Sequence, residues 1–116
     1  MKAPHLWLAA LAAAALAAVP VSAPAANAPK ARPPAVYTVT LQQLKFGPVP
    51  AGLRVGDSIE WVNKDIFLHS ATARDKSFDV ELKPGARVRT VLTKAGAIPF
   101  SCRYHPNMTG TLVVAK

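Results

Sequence analysis

The sequence predicts an all-β sandwich of seven or eight short strands, and three observations lead there. After residue 36 the chain runs as short stretches rich in β-branched and aromatic side chains. Gly and Pro separate those stretches, and all six Gly lie between Gly47 and Gly110. No apolar repeat at the helical period of about 3.6 residues occurs in this part of the chain. A length of 116 residues allows one domain at most, which excludes a multidomain enzyme or a dinucleotide-binding unit.

The first 25 residues read as an export signal. Lys2 supplies the positive start, and Leu6 to Val19 is an uncharged apolar run. That run is shorter than the roughly 20 residues of a spanning helix and suits a signal-peptide core. Ala23-Pro24-Ala25 offers a small-residue cleavage site before Ala26; a cut after Ala28 would leave Pro29 next to it. An uncleaved anchor is the alternative. The expected product is an exported, soluble protein, periplasmic if the source is a Gram-negative bacterium, with no stable membrane insertion after cleavage. Residues 26–35, with Pro29, Pro33 and Pro34, are expected to form a mobile, extended leader.

The domain then spans residues 36–116. Val36 to Leu41 is a first strand, and Leu53 and Val55 mark a second before a turn at Gly56-Asp57. Ser58 to Asn63 alternates Ile59 and Trp61 against Ser58 and Glu60, the pattern of a half-buried strand. His69 to Arg74 continues as a strand, and Phe78, Val80 and Leu82 alternate before Lys83-Pro84-Gly85. Arg87 to Thr93 sets Val88, Thr90 and Leu92 on one face. Ala95-Gly96 turns the chain, Pro99 to Cys102 is extended, and Thr111 to Ala115 closes the fold.

Export sharpens the meaning of the one cysteine. Cys102 has no partner for an internal disulfide, so it is a free thiol, half of an intermolecular bridge, or a metal ligand. Past residue 25 the only soft or imidazole side chains are Cys102, His69, His105 and Met108. A blander role suits each alone: Cys102 as a small buried hydrophobe, Met108 as a core filler, His69 as a hydrogen-bonded loop residue. Together they have ligand spacing. Cys102, His105 and Met108 follow one another at intervals of three along a loop stiffened by Pro106, and His69 alone can add a second imidazole. One thiolate, two imidazoles and a weak thioether form the trigonal donor set of blue copper. Zinc also accepts Cys with two His.

The net charge is +8, or +7 once Lys2 is removed, and the basic residues form no run. Export argues against nucleic acid. A docking surface for an acidic protein partner, or simply a solvated basic surface, accounts for the charge.

Trp61-Val62-Asn63-Lys64-Asp65 with His69, and Phe100-Ser101-Cys102-Arg103-Tyr104-His105-Pro106-Asn107-Met108, resemble the two ligand regions of the cupredoxins. The short loop is most similar to that of the amicyanin subgroup. This resemblance extends from about Val36 to Lys116 and implies a Greek-key sandwich holding one copper ion. It implies His69, Cys102 and His105 as strong ligands, Met108 as the weak axial one, and His105 beside Pro106 as the route for electrons. Trp61 reads as a buried core ring. Two departures stand out: Ser70 where the family commonly has Asn, and Asn107 where amicyanin has an aromatic residue. The first alters how the ligand loops are tied, and the second makes the docking patch more polar. The expected protein is a monomeric one-electron carrier between redox partners, not an enzyme. A copper carrier or storage protein would use the same ligands, and a metal-free interaction module is the remaining rival.

Overall fold

The structure, a computed structural model, describes residues 2–4, 12–20 and 32–116. The predicted cleavage site and residues 26–31 of the leader lie outside the described residues. Residues 12–20 carry no regular secondary structure, and Leu16 and Val19 are exposed. Among the described residues no helix is long and apolar enough to cross a membrane.

Nine strands build the unit that starts at Arg32: β1 (Val36–Gln42), β2 (Lys45–Phe46), β3 (Leu53–Arg54), β4 (Ser58–Asn63), β5 (His69–Ala73), β6 (Asp79–Leu82), β7 (Arg87–Val91), β8 (Gly96–Ser101) and β9 (Thr109–Ala115). They form two sheets, ordered β2-β1-β4-β7 and β3-β9-β8-β5-β6. Both are mixed, because β1 runs parallel to β4 and β3 parallel to β9. The chain changes sheet at β2 to β3, β3 to β4, β4 to β5, β6 to β7 and β7 to β8, giving the expected β-sandwich.

The predicted strands are present with ends shifted by a few residues, and one was not predicted. β2 pairs with β1 across the two-residue turn Gln43-Leu44, whose φ angles are +54° and +60°. Such hairpin turns favour Asn and Gly, because left-handed backbone is costly for other residues. Gln and Leu therefore gave no turn signal. A remote carboxylate offsets the cost here: Asp65 Oδ1 accepts from Gln43 N at 2.7 Å and Asp65 Oδ2 from Leu44 N at 2.9 Å.

The expected leader also needs correction at its end. Arg32 donates to both carboxylate oxygens of buried Asp57, at 2.9 and 2.7 Å, and to Gly52 O at 2.8 Å. Ala35 N and Arg54 N complete the four bonds to that carboxylate. Residues 32–35 are thus held onto the turn before β4, and the packed unit begins four residues earlier than alternation alone suggests. A polar, Pro-rich stretch shows no apolar period, and the partner that orders it lies 25 residues away.

Between the sheets lies one core centred on Trp61, which is fully buried. Its ring meets Phe46, Phe78 and Phe100 with centroids 5.9, 5.6 and 5.2 Å away, and its Nε1 donates to Thr90 Oγ1 at 3.1 Å. Each such aromatic pair adds about 0.5–1.5 kcal/mol beyond its buried area. Gly110, in β9, is dictated by this cluster: a Cβ there would overlap Phe100 Cζ. The cluster fixes β4, β8 and β9 together, and the strand ends above it carry the chemistry.

Candidate metal centre

β5 and β8 pair only at Thr72↔Ser101 and Ala73↔Phe100. Beyond those pairs the backbones part, and His69 and Cys102 face each other across the gap. Cys102 Sγ lies 3.8 Å from His69 Nδ1 and 3.7 Å from His105 Nδ1. The three donor atoms all fall within 4.8 Å of one another, with His69 and Cys102 buried and His105 half-buried.

The spacing tests whether a metal fits. Bonds of about 2.3 Å to sulfur and about 2.0 Å to nitrogen, opened to a trigonal angle of about 120°, separate S from N by about 3.7 Å. The observed 3.8 and 3.7 Å match that span without any side chain moving. A hydrogen-bonded core histidine needs no such arrangement.

Local bonds hold each donor. His105 N donates to Cys102 O at 3.3 Å, Met108 N to His105 O at 2.9 Å, and Cys102 N to Met108 O at 3.0 Å. The loop from Cys102 to Met108 is therefore closed on itself, with buried Met108 at its closing end. Ser70 N donates to Cys102 Sγ at 3.3 Å, a further bond that fixes the sulfur in place.

His69 is oriented by a residue that the sequence reading gave no separate role. Its Nε2 lies 2.7 Å from Asp65 Oδ2. An ionised carboxylate only accepts, so Nε2 carries the proton and the lone pair of Nδ1 points at Cys102. Burial pushes the Asp65 carboxyl up, but the N–H groups of Leu44 and Gln43 and the His69 ring together hold it below the ordinary range. Asn63 extends the brace: its Oδ1 accepts from Asp65 N at 2.9 Å, and its Nδ2 donates to Phe67 O and Leu82 O.

The family model of the cupredoxin-like domain matches residues 7–114. This chain belongs to the cupredoxin-like family. Among similar solved structures are amicyanin from Paracoccus versutus (Thiobacillus versutus), 19% identical over 68% of this chain and 80% of that one, with a TM-score of 0.59. A reduced, Cu(I) form of an amicyanin variant is 24% identical over 68% and 81%, also with a TM-score of 0.59. At those identities the likeness is one of fold. A Cu-containing nitrite reductase from Thermus scotoductus is 30% identical over 81% of this chain but only 25% of its own, with a TM-score of 0.63. The cupredoxin fold thus also occurs inside an enzyme. A search of curated protein sequences returns no match.

In this cupredoxin the remaining predicted residues sit close to the donors. Ser70 is buried, and its Oγ accepts from Arg103 N at 2.8 Å, tying the His69 strand to the Cys102 loop. Pro106 and Asn107 are exposed, and with Leu44, Tyr104, His105 and Met108 they line a shallow cleft of about 300 Å³. Asn107 adds the expected polar note. The apolar rim is supplied from elsewhere: Ile66 is 83% exposed and Phe67 46%, and the Phe67 ring stands 6.0 Å from that of His105. Three consecutive apolar residues outside any strand, Ile66-Phe67-Leu68, were the available signal for this rim.

Proposed function

We propose that this chain is an exported mononuclear copper protein that carries single electrons between redox partners. The observation that carries this reading is the convergence of one thiol sulfur and two imidazole nitrogens at trigonal spacing, in a frame braced before any metal arrives. His69, Cys102 and His105 would hold the ion, with Met108 as a weak axial donor. Bound copper supplies a one-electron couple and a thiolate-to-metal charge-transfer absorption.

The chain's own contribution is to resist rearrangement. His69 cannot rotate without breaking its bond to Asp65 and leaving a buried nitrogen unpaired. Cys102 cannot retreat without breaking the closed loop beneath it. A site that keeps one shape through a change of charge has little structure to reorganise at each electron transfer. His105 is the half-buried donor, and its ring is flanked by exposed Phe67 and by Pro106, so a partner docked on this rim would meet it first. The amicyanin structures, described as Cu(I) forms, support copper as the ion.

The basic surface fits an acidic partner. Association with such a partner should slow as salt rises from about 10 to 150 mM, where the screening length falls from about 30 to 8 Å. The deciding experiment is the visible and electron-spin spectrum of the purified copper-loaded protein, with the metal assayed and the couple followed by voltammetry. An intense visible band and a reversible one-electron couple with retained copper are expected. A colourless copper-loaded protein would overturn the reading. Ready loss of Cu(I) to a chelator would favour copper delivery instead.

A further inference from the structure

Four residues close a hydrogen-bonded ring next to the donors. Arg103 N donates to Ser70 Oγ at 2.8 Å. Ser70 Oγ lies 3.0 Å from Thr72 Oγ1, Thr72 Oγ1 donates to Asp79 Oδ1 at 2.8 Å, and Arg103 Nη2 donates to the same Oδ1 at 2.7 Å. The directions are fixed by proton count. A carboxylate has no proton to give, so the single hydroxyl proton of Thr72 goes to Asp79, and Ser70 must then donate to Thr72. That leaves the Ser70 oxygen free to accept from Arg103 N, and among the described residues no buried side-chain polar atom lacks a partner.

The ring begins where the backbone ladder ends. Thr72 is the last β5 residue paired with β8, at Ser101, and it is also paired with Asp79 on β6. Past it, the strand leading to His69 and the loop leaving Cys102 share no backbone pair, because they must part to make room between donors. Ser70 and Arg103 are the residues directly after His69 and Cys102. A ring through their oxygen and nitrogen therefore sets the separation of the two donor-bearing segments. Ser70 alone offers one hydroxyl; Thr72 and Asp79 give that hydroxyl its direction.

We infer that Thr72 and Asp79 are positioning residues of the metal centre, acting through Ser70 and Arg103 to hold Cys102 against His69. For copper retention the inference rests on the proposed copper site; for the resting position of Cys102 it does not.

Two measurements test it. In the metal-free protein, the rate at which Cys102 reacts with a small aromatic disulfide reports how firmly the loop is held. Thr72→Val should raise that rate about fivefold, the worth of one net hydrogen bond, and Thr72→Ser should restore it. In the copper-loaded protein, Thr72→Val should ease Cu(I) transfer to a chelator about tenfold, again restored by Thr72→Ser. Arg103→Met opens the ring from its exposed side and serves if Thr72→Val fails to fold. Unchanged thiol reactivity in the folded variants would overturn the inference, as would a rise that Thr72→Ser does not reverse. If the parent protein takes up no copper, the proposed function falls while the thiol measurement still decides the ring.

Discussion

His69 Nε2 and Asp65 Oδ2 lie 2.7 Å apart, and that contact determines which nitrogen of His69 faces Cys102. The same carboxylate accepts both N–H groups of the left-handed Gln43-Leu44 turn, so one side chain serves the hairpin and the donor together. Asp65→Asn keeps the shape but presents an amide N–H₂ where an acceptor is needed. It should lower copper affinity by about 10- to 100-fold, read by chelator competition. It should also destabilise the metal-free protein by about 1–3 kcal/mol, read by urea unfolding. Unaltered affinity with lowered stability would confine Asp65 to the hairpin.

Cys102 and Met108 should separate cleanly on substitution. Cys102→Ser removes the sulfur and should abolish the intense visible band of the copper-loaded protein. Met108→Gln should keep a bound copper and change the reduction potential, if Met108 is the weak donor proposed above. Loss of all copper from Met108→Gln, measured by metal analysis, would mean that Met108 is a principal ligand or a packing residue.

The Arg32–Asp57 pair makes stability depend on acid. The Arg32 guanidinium, with the N–H groups of Ala35 and Arg54, holds the buried Asp57 carboxyl well below the usual carboxylate range, outweighing the opposing effect of burial. A folded-state value below the unfolded one contributes stability that is present above about pH 4 and drains away as pH falls below it. Arg32→Ala should lower Tm by several degrees at pH 7. The gap to the parent should shrink as pH falls below about 4, because Asp57 without Arg32 takes up its proton in the variant before it does in the parent. A gap that is constant with pH would assign the effect to lost packing.

Gly110→Ala should damage the core although the change is one methyl group. Its Cβ would press on the Phe100 ring, which is held among Trp61, Phe46 and Phe78 and has nowhere to retreat. The expected loss is about 1–3 kcal/mol, read by denaturant unfolding. Phe100→Leu in the Gly110→Ala background should recover part of it by making room.

How much could be read in advance depended on how far apart the interacting groups lie along the chain. The long strands were legible from alternation, as in Ser58–Asn63, because a period of two is a local property. The donor loop was legible because Cys102, His105 and Met108 sit within one turn of backbone and the chain past residue 25 offers few other soft ligands. What the alternation could not reveal is contact between segments that share no local pattern. Arg32 joins the fold through Asp57, Gln43 and Leu44 accept left-handed backbone through Asp65, and Phe67 comes to rest beside His105. The sequence shows that Ser70 stands where the family commonly has Asn, but not that Thr72 and Asp79 stand behind its hydroxyl. Local order thus supplied the donors and the strands. Their orientation came from hydrogen bonds closed across 4 to 33 residues, which exist only once the two sheets have packed.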